Sequence, residues 1–263
     1  METFEDRIAG LKENIQKTGG LLVSYSGGVD STVLAVVAGE VLGERMSCAI
    51  VDSPLIPRSE LEGAIRLAEE LSLSCIVLKS SIMDDPEFLA NRKDRCYTCK
   101  KVMVRLLRIE AERLGLNNIA DGSNTSDLST YRPGFAALEE AGFIHPFIEA
   151  GMNKEDIRRL ARVYSLPVSE KPSSSCLASR IPYGTSLDEA ALGIIEASEY
   201  LIRSTGAAQV RVRKHGDIAR IEVYAEDFSI ILKNREAISA FLKTEGFRYV
   251  TLDIDGFMSG SMD

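Results

Sequence analysis

Between two apolar runs, Leu21-Leu22-Val23 and Val33-Leu34-Ala35-Val36-Val37, the chain carries Ser24-Tyr25-Ser26-Gly27-Gly28-Val29-Asp30-Ser31-Thr32. This pattern spells a strand, a glycine turn and the start of a helix. A helix that begins directly after a strand presents its first backbone amides, and the positive end of its dipole, at the strand's carboxyl end. Gly27 and Gly28 let an anion approach the backbone with no Cβ in the way, and Ser26 and Ser31 add hydroxyl donors. The turn is therefore built to hold an anion, and a phosphate suits it best. No Gly-x-x-x-x-Gly-Lys-[Ser/Thr] loop and no Gly-x-Gly-x-x-Gly fingerprint occurs, so neither a Walker A site nor a dinucleotide site is supported.

The surrounding pattern places this turn in an α/β fold. Residues 4–17 have the spacing of an amphipathic helix. Strands are predicted at 20–25, 46–51, 74–78 and 117–121, and helices at 30–42, 58–71, 97–114 and 153–165. Such alternation implies a parallel, Rossmann-like sheet covered by helices on both faces. Ligands bind beyond the carboxyl ends of such strands. Ser26–Ser31, Asp52-Ser53 and Asp121–Asp127 all follow predicted strands and should meet there. A Pro/Ser-rich stretch from Leu166-Pro167 to Pro182-Tyr183-Gly184 marks a boundary, giving domains 1–180 and 181–263. Beyond it a helix at 187–203 precedes a hairpin, Gln209–Arg213 and Ala219–Tyr224, turning at His215-Gly216-Asp217. A helix near 227–244 and a strand at 247–254 complete a small α/β domain.

The chain has 263 residues, 45% of them hydrophobic, which is the composition of a globular protein with one large core or two modest ones. No apolar run approaches the roughly 20 residues of a membrane span. The opening Met1–Arg7 is acidic and unlike a signal peptide, so a cytoplasmic protein is expected. A net charge of −8 argues against nucleic acid as the partner.

In that compartment five cysteines point to thiols, metal or catalysis rather than disulfides. Cys48 and Cys75 sit in apolar strand patterns and read as core thiols. Cys96 and Cys99 lie in Arg95-Cys96-Tyr97-Thr98-Cys99-Lys100-Lys101, where a loop becomes a helix. Two thiolates at that spacing can bind one metal or two atoms of a cluster, or they can be two incidental thiols at a helix cap. Cys176 lies in a polar, flexible segment with Lys171 and Arg180 nearby in sequence, and either cation would favour its thiolate. Three site-like cysteines leave one position open on a zinc ion or on a four-iron cluster, where a substrate or an extra sulfide can bind.

Ser26-Gly27-Gly28-Val29-Asp30-Ser31 resembles the PP-loop of the ATP pyrophosphatases, which hold the pyrophosphate part of ATP and transfer AMP to a substrate oxygen. Other segments narrow the likeness: Arg95–Lys100, Asp121–Asp127, Tyr131-Arg132-Pro133-Gly134, Cys176-Leu177-Ala178-Ser179-Arg180 with Pro182-Tyr183-Gly184, and Val210–Arg213 with Ala219–Val223. Over nearly its whole length the chain resembles the LarE family, the ATP-dependent sulfur transferases of nickel-pincer nucleotide synthesis.

The resemblance implies adenylylation of a carboxylate of pyridinium-3,5-biscarboxylic acid mononucleotide, then replacement of an oxygen of that group by sulfur. In one branch a cysteine matching Cys176 gives up its sulfur and becomes dehydroalanine. In another, three cysteines hold a [4Fe–4S] cluster whose open iron carries the transferred sulfide. Having Cys96, Cys99 and Cys176 together, this chain resembles the cluster branch. By the same resemblance Ser24, Ser26, Gly27, Gly28, Val29, Asp30 and Ser31 seat ATP, with Asp30 on Mg²⁺, and Ser53 and Asp127 lie near the nucleotide. Arg211 and Arg213, on one face of a strand, would bind a substrate phosphate, with Glu199 and Glu222 orienting the arginines and Arg180 beside Cys176. A homo-oligomer and an external sulfur donor of unknown identity are implied. A tRNA-thiolating enzyme, an amide-forming NAD or GMP synthetase and a non-catalytic nucleotide binder are the competing readings. Against the first stand the net charge and the absence of further Cys-x-x-Cys pairs, and the second has no need of Cys176.

Overall fold

A computed structural model describes residues 3–129, 133–172 and 174–258. Met1, Glu2, Tyr131, Arg132 and Ser173 of the sequence patterns lie outside the described residues. The chain divides into two compact units. The first comprises residues up to Ile82 with Asp94–Ser174, and the second Met83–Lys93 with the chain from Ser175 onward.

In the first unit α1 (Phe4–Thr18), β1 (Leu21–Ser24), α2 (Val29–Leu42), β2 (Met46–Asp52), α3 (Arg58–Glu70) and β3 (Cys75–Lys79) follow one another. The short α4 (Pro86–Leu89) belongs to the second unit, after which the chain returns with α5 (Arg95–Leu114), β4 (Ile119–Ala120), α6 (Pro133–Glu140), α7 (Pro146–Glu149) and α8 (Lys154–Val163). The four strands are all parallel in the order β3-β2-β1-β4, with Val23 paired to Cys48 on one side and Ala120 on the other. The winding reverses between β1 and β4, and a crevice opens at such a switch point.

β1, β2 and β4 are largely buried, whereas the edge strand β3 is only partly covered and leaves Val77 exposed. Leu21 and Val23 pack with α1, α2, α3 and α8, whereas Leu22 and Ala49 pack with Val104, Leu107 and Ala111 of α5 and Leu138 of α6. Near-continuous apolar runs are what a sheet covered on both sides requires. The α/β expectation is thus met, and the long elements fall within a residue or two of their predicted limits. β4 is shorter than its predicted 117–121, because the Asp121 carboxylate turns back to accept from the backbone N–H and hydroxyl of Ser123.

The second unit contains α9 (Glu189–Ser204), β5 (Val210–His215), β6 (Ile218–Val223), α10 (Phe228–Lys233), α11 (Arg235–Thr244) and β7 (Tyr249–Leu252). β5 and β6 form the expected antiparallel hairpin, and β7 adds parallel to β6. Val210, Val212, Ile221 and Val223 face a core shared with Ile202, Ile231, Ile238 and Leu242. The single helix predicted near 227–244 is two helices. Asn234 breaks it by donating its side-chain amide to the Ile230 carbonyl, and asparagine competes for backbone groups in this way.

Candidate active site

The turn between β1 and α2 is a compact anion seat. Gly27 has φ +67°, and a Cβ there would lie 2.4 Å from the Ala64 Cβ of α3, so only glycine fits. Gly28 is the N-cap of α2 and offers no side-chain cap to the first-turn amides. Ser31 Oγ accepts from the Ser26 amide at 3.1 Å and lies 3.1 Å from Ser26 Oγ, which ties the two hydroxyls across the turn.

Asp30 is in the first turn of α2. One carboxylate oxygen accepts from Lys154 Nζ at 2.5 Å, and the other is buried with no hydrogen-bond partner. An orphaned buried carboxylate oxygen beside a phosphate seat suits a hard divalent cation, so the residues present fit Mg²⁺.

The loop after β4 closes against this turn. A Cβ on Gly122 would meet Asp30 Cβ at 2.9 Å and the Ser31 amide at 3.0 Å. Asp121 accepts from Ser123 Oγ and lies 2.6 Å from His145 Nδ1. Burial pushes the Asp121 carboxyl up, but the His145 and Ser123 hydrogen bonds outweigh it and hold the group below the usual carboxylate range. Asp127 accepts from the backbone and side-chain N–H groups of Asn124 at 3.0 Å each, closing the turn. Lys154, at the start of α8, donates its backbone N–H to Ser126 Oγ. Lys171 donates to the Gly27 carbonyl at 3.3 Å and pairs with Glu60 at 2.8 Å.

Ser53, after β2, is buried, and its hydroxyl accepts from the Leu55 amide. Its neighbour Asp52 pairs with Arg58 at 2.5 Å. The structure therefore joins the predicted turn to the β4 loop, to Lys154, which the sequence patterns did not single out, and to Lys171, which in sequence reads as a neighbour of Cys176.

Cys96 and Cys99 occupy one face of the first turn of α5, the former exposed and the latter half-buried. Cys48 is buried in β2, where burial pushes its thiol well up. Cys75 is only partly buried, and burial takes its thiol to about 11, so neither is a nucleophile at neutral pH.

In the second unit the exposed Cys176 precedes a 3-10 turn, Leu177–Arg180. Arg180 is wholly buried. It donates to Glu199 through two nitrogens at 2.8 and 3.2 Å, and its remaining nitrogen donates to the carbonyls of Ser175 and Cys176 at 2.8 and 2.9 Å. Its guanidinium thus fixes the backbone around Cys176 from beneath rather than facing solvent.

Arg213 donates to Glu222 at 2.9 Å and to the Ser179 carbonyl at 2.8 Å, and so braces the same turn. Glu199 also holds Arg203, and Glu222 holds Arg220. Arg211 differs. It is 5% exposed, it donates to the Val210 carbonyl, and it has no carboxylate partner among the described residues. Burial, and then the charge of Arg180, push its guanidinium down to about 10. The negative charge of Glu199 acts the other way but does not offset them, and no carboxylate among the described residues forms an ion pair with it.

Among the described residues no three His, Cys, Asp or Glu side chains converge to hold a metal ion. Cys96 and Cys99 belong to the first unit and Cys176 to the second. No helix among the described residues is long and apolar enough to cross a membrane.

Residues 3–93 match the NAD synthase family, which covers the phosphate turn and the first three strands. A GMP synthase of Chlamydia muridarum is 39% identical over 82 residues, 31% of this chain and 16% of that protein. Other relatives match end to end. An uncharacterized protein of Synechocystis sp. is 35% identical over 263 residues, 99% of this chain and 98% of its own length. Pyridinium-3,5-bisthiocarboxylic acid mononucleotide synthase of Lactiplantibacillus plantarum is 35% identical over 264 residues, 100% of this chain and 96% of that enzyme. The chain belongs to the LarE family. As a LarE-family protein it is an ATP-dependent sulfur transferase of the PP-loop class. The turn at Ser24–Ser31 is its PP-loop, and ATP with Mg²⁺ is what that class uses there.

Proposed function

We propose that this LarE-family enzyme converts a carboxylate of pyridinium-3,5-biscarboxylic acid mononucleotide to a thiocarboxylate at the expense of ATP. The observation that carries this reading is the end-to-end similarity to the Lactiplantibacillus plantarum synthase, which spans both units. In the proposed first half-reaction a substrate carboxylate oxygen attacks the α-phosphorus of ATP. The bond to pyrophosphate breaks, leaving an acyl-adenylate. The α2 amides, Ser26 and Ser31 hold the phosphates, and Mg²⁺ on Asp30 would neutralise charge on the departing pyrophosphate. In the second half-reaction sulfur forms a bond to the acyl carbon, and AMP leaves with its electron pair.

Arg211 is the group we assign to the substrate phosphate, because it is buried and forms no ion pair with a carboxylate among the described residues. Arg180 and Arg213 act as positioning residues for the turn carrying Cys176. Cys96 and Cys99, one helical turn apart, together with the exposed Cys176, have the donor chemistry of three ligands of a [4Fe–4S] cluster. Such a cluster would supply sulfide that can be replaced after each turnover from a sulfur donor of unknown identity. We further read the protein as cytoplasmic and homo-oligomeric.

The test is iron and acid-labile sulfide in protein purified without oxygen, for the wild type and for Cys96→Ala, with the mass of the Cys176 peptide followed through turnover. Iron and sulfide near four per chain, lost in Cys96→Ala, and an unchanged Cys176 are the expected results. Absence of both elements after anaerobic reconstitution, with Cys176 converted to dehydroalanine, would overturn the cluster reading.

A further inference from the structure

The PP-loop carries no lysine or arginine from Ser24 to Thr32, yet it must hold the most highly charged part of ATP. Two ammonium groups stand at it instead. Lys154 lies 2.5 Å from Asp30, and Lys171 lies 3.3 Å from the Gly27 carbonyl and 2.8 Å from Glu60. Both side chains are about one-third exposed, 35% and 30%, so each can change partner without unpacking the core.

One helix aims both. Lys154 is the first residue of α8, fixed by its backbone bond to Ser126. One turn on, Arg158 donates to the carbonyls of Ser169 and Lys171, at 2.5 and 3.2 Å, and so holds the segment that delivers the second lysine. α8 is thus a bracket that sets two cations against a loop having none of its own.

We propose that Lys154 and Lys171 are the pyrophosphate ligands of this enzyme, and that Lys154 and the divalent ion exchange at Asp30. Without nucleotide, Lys154 neutralises Asp30, which would otherwise repel the incoming phosphates. When Mg·ATP binds, the orphaned Asp30 oxygen would hold the cation, and Lys154 passes its ammonium from the carboxylate to a phosphate oxygen. Lys171 makes the corresponding move away from Glu60. Each step exchanges one charge-assisted contact for another, with no covalent change. Arg158 is a positioning residue for Lys171. The proposal rests on the PP-loop binding ATP, and AMP serves as the separate measure of that reading because it lacks the β- and γ-phosphates.

The experiment is calorimetry on the full chain with three probes: inorganic pyrophosphate with Mg²⁺, AMP alone, and Mn²⁺ alone followed by its paramagnetic resonance. The variants are Lys154→Met, Lys171→Met, Lys154→Arg and, as a remote control, Lys12→Met on the exposed Lys12–Glu40 pair. Lys154→Met and Lys171→Met should each weaken pyrophosphate about tenfold or more, with AMP unchanged, and Lys154→Arg should restore most of the loss. Lys154→Met should also bind Mn²⁺ more tightly than the wild type, since its competitor for Asp30 is gone, an effect a merely structural lysine would not produce. Pyrophosphate affinity unchanged in both methionine variants, or AMP and pyrophosphate weakened equally, would overturn the assignment while leaving the PP-loop reading intact. A wild type that binds neither AMP nor pyrophosphate would overturn both.

Discussion

Arg211 and Arg213 occupy equivalent faces of β5 two residues apart, and nothing in Val-Arg-Val-Arg distinguishes them. In the structure one is paired and the other is not. Arg213 is matched by Glu222 across the hairpin, whereas Arg211 stands among Arg180, Arg203 and Arg213 with Glu199 acting on it by charge but not paired to it. Burying that charge costs stability, and the cost is full below about pH 10 and relieved only above it. A residue kept at such a cost fits a role in binding. Arg211→Met should therefore stabilise the unliganded protein by about 1–2 kcal/mol, a rise of several degrees in Tm for a unit of this size. The same variant should lose the further stabilisation that millimolar phosphate confers on the wild type. Thermal melts with and without phosphate check both, and a destabilised variant that still responds to phosphate would remove Arg211 from the site.

At the level of elements, β1, α2, β2, α3 and α5 were legible because long periodic runs and glycine punctuation agree with one another. The short pieces were not. α6 and α7 have too few residues to show a period, and the 227–244 helix looks continuous until Asn234 is seen bonding back to Ile230. The same holds within the site. Ser24–Ser31 announces itself, but Lys154 is one lysine among many and Lys171 reads from sequence as a neighbour of Cys176, and only tertiary packing brings them to Asp30 and Gly27. Arg180 was expected beside Cys176; its complete burial beneath that turn is a property of the packing of α9. The contact between the β4 loop and α2 was expected in outline, since both follow strands that neighbour in the sheet, while its closeness at Gly122 was not. Gly122→Ala places a methyl group against Asp30 and Ser31, so the loop and helix must separate by some tenths of an ångström. The expected outcome is ATP affinity lower by about tenfold with little change in the far-ultraviolet circular dichroism. Wild-type ATP affinity in this variant would mean that the loop does not set the position of the PP-loop.

On the scale of the whole molecule, the residues of the proposed chemistry are distributed over both units. The parallel-sheet unit holds the PP-loop, Asp30 and the Cys96/Cys99 pair, and the second holds Cys176 with the buried Arg180, Arg211 and Arg213. Similarity to the NAD synthase family stops at residue 93, short of the Cys96/Cys99 pair and of α8 in the first unit, while similarity to the mononucleotide synthase runs to the end. In the proposed mechanism the first unit seats the nucleotide, and the three cysteines assigned to sulfur delivery are drawn from both units. The most direct measurement is mass spectrometry of the products formed by anaerobically purified protein from pyridinium-3,5-biscarboxylic acid mononucleotide and Mg·ATP. The account predicts AMP and pyrophosphate formed only when the mononucleotide is present, with a mononucleotide in which sulfur has replaced a carboxylate oxygen. Pyrophosphate release that does not depend on the mononucleotide, or an activated mononucleotide that never acquires sulfur, would contradict it.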